Sequence, residues 1–371
     1  MKERINYNIL YFIIVFFIIS FVSIYSTLIY TSPVLGNLAF KQLLWFFIGL
    51  FVILLLVKIK NHFLFNNAEF FYFGILFSLL LLLIIGTPIN NSKCWFVIPG
   101  IGSIQPSEFM KIALMLVLGK IIFKYRKNGI YTYKSEFRLI IKCLVVVLAP
   151  SVLTFLQPDT GAVLIYLIIF FTMMLFSGIR IRWFLFALLV IFVIVGICGG
   201  IYFWNEKLFV NIFGTSMYYR IERLFMWKNG IGLQLENALS SIGSAGMFGH
   251  GLNKIPIYFP ESSTDFIFAA FASNFGLLGV TIGLLLFLLF DLYILSIVKR
   301  KTVCVDKYVL IGILGMLLFQ QIQNIGMTVG LFPITGITLP FISYGGSSLI
   351  SYMIIAGIVI NSSSEKNNTY I

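Results

Sequence analysis

Residues 9–30 read ILYFIIVFFIISFVSIYSTLIY, an apolar run without a single charge, preceded by Lys2 and Arg4. A membrane-crossing helix needs about 20 such residues. A secretory leader has a shorter core of roughly 7–15 residues and a small-residue cleavage site. This run is longer and lacks such a site, so it reads as a first membrane helix that is retained. The same pattern recurs at about 42–59, 69–87, 107–125, 138–156, 160–178, 183–204, 265–298, 308–331 and 341–361.

Composition agrees. The 371 residues are 60% hydrophobic and 11% charged, and 40 of them are Phe. A soluble domain carries about 25% charged residues, so this chain has too little polar surface to coat a globule in water. The expectation is an all-α polytopic membrane protein of about ten transmembrane helices, forming one integral membrane domain over residues 1–371. A large loop at about 205–264 separates helices seven and eight, and a polar tail covers 361–371.

Charge sets the orientation. With ten spans both termini share a side. That side holds Lys2, Arg4, Lys58, Lys60, Lys120, Lys124, Arg126, Lys127, Lys134, Arg138, Lys142, Arg180, Arg182, Lys299, Arg300, Lys301, Lys307 and Lys366, 18 of the 26 basic residues. Basic loops stay in the cytoplasm, so both termini are cytoplasmic and the 205–264 loop is extracytoplasmic. The net charge of +13 therefore reports topology in a membrane lipid environment, with no nucleic acid as partner. Cys94, Cys143, Cys198 and Cys304 are scattered, and His62 and His250 are far apart, so neither a disulfide framework nor a metal site is expected.

The outer face holds the loops at about 88–106, 157–159, 205–264 and 332–340. Seven of the 13 carboxylates map there: Glu108, Asp159, Glu206, Glu222, Glu236, Glu261 and Asp265. Ionisable groups near membrane depth are costly and mark function. The FPESSTDFIFA stretch (259–269) closes the large loop. One reading makes it a helix start, with Ser263 or Thr264 as cap and Asp265 in the first turn, where it favours the dipole. The other makes Asp265 a general base at the membrane boundary. In QPSEFMK (105–111), Glu108 and Lys111 stand one turn apart. They can pair with each other, or Lys111 can offer its charge to a phosphate. Trp95 is an interfacial anchor or a site residue. Asp159, in QPDTG (157–161), caps a helix or joins the site. Ser343, Gly345 and Ser347, in LPFISYGGSS (339–348), suit close helix packing or close approach to a ligand. Gln320, Gln321, Gln323 and Asn324 put four amides in an apolar helix, where they need a polar cavity or other helices.

These blocks, with NALSSIGSAGMFGHG (237–251) and NIGMTVGLFPITG (324–336), occur in an order that resembles the RodA/FtsW/SpoVE (SEDS) family of bacterial cell-wall proteins. The short tails resemble its RodA-like members. The resemblance implies a peptidoglycan glycosyltransferase in the bacterial cytoplasmic membrane. It would polymerise lipid II, a disaccharide-pentapeptide on undecaprenyl pyrophosphate, beside a class B penicillin-binding protein. It places the family's essential aspartate on Asp265, its tryptophan on Trp95 and its lysine on Lys111. Arg220 and Arg223 are further outer-face cations for the pyrophosphate. Glu108, Asp159, Glu261, Thr264, Ser343, Gly345 and Ser347 complete the candidate substrate site. No cofactor is expected; a divalent cation could assist. The chain departs from the family pattern at Cys94 (usually Arg), Ser263 (often His) and Ser273-Asn274 (usually an acidic pair). Two other readings stay open: a lipid II transporter, and a non-catalytic scaffold that activates the transpeptidase.

Overall fold

A computed structural model describes residues 8–28, 38–86, 93–98, 102–129, 131–215, 218 and 232–364. Among them the helices are α1 (Asn8–Thr27), α2 (Leu38–Asn66), α3 (Ala68–Ile85), α4 (Pro106–Asn128), α5 (Tyr133–Leu156), α6 (Thr160–Leu175), α7 (Ile181–Trp204), α8 (Glu206–Phe213), α9 (Leu233–Gly243), α10 (Ile267–Arg300), α11 (Val305–Thr328) and α12 (Gly346–Ser364). A small antiparallel hairpin, β1 (Phe96–Ile98) and β2 (Gly102–Ile104), lies in the 88–106 loop, with Val97 opposite Ser103.

Among the described residues each of the ten apolar segments overlaps a helix, and α8 and α9 lie in the large loop. Eight helices are long and apolar enough to cross a bilayer. The two outside that group are α6, which has only 16 residues, and α4, which carries charges at both ends. Yet α4 is the hub, packing against α2, α3, α5, α6, α11 and α12. Helices do not associate in lipid by hiding from water, so packing and internal hydrogen bonds hold a bundle together. A central helix can therefore carry polar groups that the lipid-facing ones cannot. By contrast, α7 buries none of its side chains.

Local signals set the boundaries. Pro106 opens α4, and Gly129 closes it with φ +67°. Thr132 and Ser135 form a reciprocal capping box on α5. The Asp159 side chain accepts from the Ala162 amide and caps α6. Residues 341–345 stay outside α12: the amides of Ile342 and Ser343 turn back to the Leu339 carbonyl, and those of Tyr344 and Gly345 go to Ser263 and Gln42. α2 runs past the expected boundary to Asn66, broken at Lys60 with φ +67°.

α10 is interrupted at Gly276, with φ 63° and ψ −163°. The 244–251 loop inserts there. The amides of His250 and Gly251 donate to the Ser273 and Asn274 carbonyls, and those of Leu277 and Leu278 donate to Gly246 and Met247. The backbones touch: a Cβ at Gly249 would lie 2.2 Å from the Asn274 oxygen.

Candidate active site

Asp265 ends a tight turn that precedes α10. Glu261 takes φ +56°, and its carbonyl accepts from the amides of Thr264 at 3.2 Å and Phe266 at 3.0 Å. The Thr264 hydroxyl donates to Glu261 Oε2 at 2.5 Å. From α9, Gln234 and Asn237 donate to the carbonyls of Pro260 and Tyr258. Across the site, Ser343 Oγ donates to the Thr264 carbonyl at 2.7 Å, and the Tyr344 amide to that of Ser263 at 2.9 Å. Asn324 Nδ2, on α11, donates to the carbonyls of Asp265 and Ile337, each at 2.8 Å.

This corrects the helix-start reading. Phe266, not Ser263 or Thr264, is the residue before α10, and it makes no side-chain cap. Asp265 lies ahead of the helix, because the non-local bonds to Ser263, Thr264 and Asp265 bend the chain before the first helical turn. Among the described residues, none donates a hydrogen bond to its carboxylate. Burial, with the charges of Glu261 and Asp159 beside it, pushes the Asp265 carboxyl up to about 7. Helix amides would have acted in the opposite direction.

Opposite Asp265 stands Gly336, with φ +70°, where a Cβ would lie 3.5 Å from Asp265 Oδ2. The same loop reaches the α5–α6 turn. A Cβ at Gly161 would lie 3.0 Å from the Thr335 carbonyl and 3.8 Å from Asp159 Oδ1. Asp159 accepts from Gln105 Nε2 at 2.9 Å, Ser107 Oγ at 3.2 Å and the Ala162 amide at 3.0 Å. Burial raises its carboxyl above the usual range, while these donors pull it down. Below it, buried Lys111 pairs with Glu108 at 2.6 Å, and Ser351 donates to the same Glu108 oxygen at 3.3 Å. Lys111 Nζ also lies 5.3 Å from the centre of the Tyr352 ring. To reach a phosphate, Lys111 would have to part from Glu108.

The remaining candidates surround this axis. Ser347 Oγ accepts from the Gln105 amide at 3.0 Å and donates to the Ser103 carbonyl at 3.1 Å, joining α12 to the hairpin and α4. The Gly345 amide donates to Gln42 Oε1 at 3.4 Å. Trp95 is partly buried just ahead of β1. Arg220 and Arg223 lie outside the described residues. The sequence reading did not single out Gln105, Thr335, Gly336, Ser351 or Tyr352. It flagged the four α11 amides without partners. Those partners are the Tyr352 hydroxyl for Gln320, Asp291 for Gln321, Pro333 and Thr335 for Gln323, and the two carbonyls for Asn324.

The departures from the family pattern have these surroundings, and Asn274 Nδ2 is buried without a hydrogen-bond partner. Cys94 Sγ donates to the Gln157 carbonyl at 2.9 Å, and burial with nearby Asp159 pushes its thiol up to about 12. The Ser263 backbone holds Tyr344. His250 Nδ1 lies 3.2 Å from Ser273 Oγ, and Ser26 Oγ donates to Asn274 Oδ1 at 2.7 Å. Among the described residues, no three His, Cys, Asp or Glu side chains come together as a metal-ligand set.

The fold defines a multi-helix membrane protein, with the candidate carboxylate Asp265 at the end of the loop that precedes α10. The FtsW/RodA/SpoVE model, described as cell cycle protein, matches residues 6–368, and the chain belongs to that family. It is 35% identical over 298 residues to stage V sporulation protein E of Bacillus subtilis, covering 77% of this chain and 75% of that protein. It is 27% identical to the peptidoglycan glycosyltransferase RodA of Treponema pallidum, covering 86% and 88%. Among solved structures, the rod shape determining protein RodA of Thermus thermophilus superposes with a TM-score of 0.68 at 26% identity, covering 96% and 95%. A chain from a study of a peptidoglycan synthase complex that coordinates polymerization and crosslinking superposes with a TM-score of 0.78 at 25% identity, covering 96% of both chains. The chain is thus a multi-pass protein of the bacterial inner membrane.

Proposed function

We propose that this chain is a peptidoglycan glycosyltransferase that polymerises lipid II on the outer face of the cytoplasmic membrane. Asp265 takes the proton from the acceptor sugar's 4-hydroxyl as that oxygen bonds to the donor's anomeric carbon. The bond from that carbon to undecaprenyl pyrophosphate breaks, and the configuration inverts. One base suffices, and no covalent intermediate forms. The carrying observation is the Asp265 carboxyl itself, without a hydrogen-bond donor among the described residues and pushed up to about 7. A general base works best when its pKa lies near the operating pH. Relatives named peptidoglycan glycosyltransferase support the reading.

The remaining assignments are part of the same proposal. Arg220 and Arg223, in the outer loop, meet the departing pyrophosphate. Lys111, paired with Glu108 in this structure, would join them on the pyrophosphate by leaving that pair. Trp95, Glu108, Asp159, Glu261, Thr264, Ser343, Gly345 and Ser347 complete the substrate site. A class B penicillin-binding protein is the partner that crosslinks the strands.

Polymerisation in vitro tests this. The purified chain with its cognate penicillin-binding protein is supplied with lipid II, and glycan strands are resolved on a gel beside Asp265→Ala. Polymer from the wild type alone supports the reading. Equal polymer from both refutes the base assignment. Absence of polymer from both, while a related protein succeeds in the same assay, points to a scaffold.

A further inference from the structure

Among the groups that hold Asp265 in place is one of the four amides of α11. Asn324 is fully buried. Its Nδ2 gives both protons away, one to the Asp265 carbonyl and one to the Ile337 carbonyl, each at 2.8 Å. Those carbonyls belong to the two chain segments that face each other across the site. Ile337 directly follows Gly336, whose absent side chain leaves a notch against Asp265 Oδ2. One side chain thus fixes the spacing between the carboxylate and the notch. The other end of the same amide, Oδ1, is buried without a hydrogen-bond partner. An unsatisfied buried acceptor is costly and needs a reason. An apolar side chain of similar size would spare that acceptor but would take this donor from both carbonyls, so the amide is kept for the two bonds it makes across the site.

We propose that Asn324 is a positioning residue for glycan transfer: it clamps the backbone on both sides of the site so that the Asp265 carboxylate faces the notch at Gly336, where the acceptor hydroxyl is received. The proposal rests on the function proposed above. A misplacement of about 1 Å at a reacting group can cost about a hundredfold in rate. Removing the clamp therefore acts on turnover, while the surfaces that hold the lipid-linked sugar stay intact.

The test uses the full chain in complex with its penicillin-binding protein, with initial rates of lipid II polymerisation normalised to the folded fraction. Asn324→Ala is expected to lower kcat ten- to hundredfold with KM within about twofold of wild type. It is also expected to move the acid limb of the pH–rate profile to lower pH, as the freed Asp265 leaves the buried seat beside Glu261 and Asp159. Asn324→Ser, which keeps one donor, recovers part of the rate. If Asn324→Ala does not yield folded protein, Asn324→Ser is judged on the same two readings. A normalised rate within twofold of wild type, or a lowered rate with the acid limb in place, overturns the proposal. Asp265→Asn, measured alongside, separates the two levels. If Asp265→Asn is inactive while the Asn324 variants behave as wild type, the clamp alone fails. If Asp265→Asn polymerises as wild type does, the base assignment fails and takes the clamp with it.

Discussion

Replacing Asp265 with Asn should abolish polymerisation and stabilise the protein. The folded-state carboxyl sits at about 7 against an ordinary value of 3.8, with burial as the main cause. That gap is roughly 3 pH units, and each unit corresponds to about 1.4 kcal/mol between the protonation states. Keeping the carboxylate charged in the folded state thus costs at most about 4 kcal/mol. The side chain is partly open to solvent, and screening lowers a realistic figure to about 2 kcal/mol. Because the folded pKa is raised, the stabilising contribution is complete below pH 4. It declines as the unfolded chain ionises while the folded one does not, and it is lost once pH passes 7. Asn removes the ionisation altogether. The variant should therefore match the wild type near pH 4 and melt a few degrees higher above pH 7. The wild-type rate should climb over the same range, with about a tenth of the base ionised at pH 6 and about nine tenths at pH 8. Thermal unfolding in detergent at several pH values, paired with polymerisation rates, measures both. A stability difference that is constant with pH would refute the reasoning, as would an Asp265→Asn variant that retains activity.

Breaking the buried ion pair with Lys111→Met alone should destabilise the protein by about 3–5 kcal/mol, because Glu108 is left charged and unpaired; Glu108→Gln in the same chain should restore most of the loss in a melting assay. Gly249→Ala should lower the melting temperature and activity together, since its Cβ would meet the Asn274 carbonyl at 2.2 Å and its φ of +81° suits glycine. Cys94 should react with a maleimide far more slowly in the folded protein than in denaturant, because it is buried and its thiol is pushed up to about 12; mass spectrometry of labelled peptides would show it.

The helices were legible because each is an unbroken apolar run of bilayer length, and charge asymmetry orders the loops without knowledge of packing. Which helices touch was not legible. Lipid-facing and core-facing positions are equally apolar, so no stripe on α7 or α4 announces that one buries nothing and the other is the hub. At the site, local chemistry was readable and distant chemistry was not. The Asp159 cap and the Glu108–Lys111 pair span three residues each and follow from spacing. The turn ahead of Asp265 is decided by Tyr344, Ser343 and Asn324, roughly 60 to 80 residues away. A helix-start pattern therefore outweighed the real geometry. The amides of α11 signalled that polar partners existed, but backbone carbonyls in a loop leave no mark on the sequence that names them.

The break in α10 ties the loop ahead of it to the membrane helix. Two backbone bonds that a continuous helix would close within itself, from Leu277 to Ser273 and from Leu278 to Asn274, are replaced by four bonds to residues 246–251. Neither half of that exchange is satisfied alone. The external segment and the upper turns of the membrane helix must therefore acquire their structure together. Lengthening the segment by one residue would shift its register and strand donors and acceptors on both sides at once.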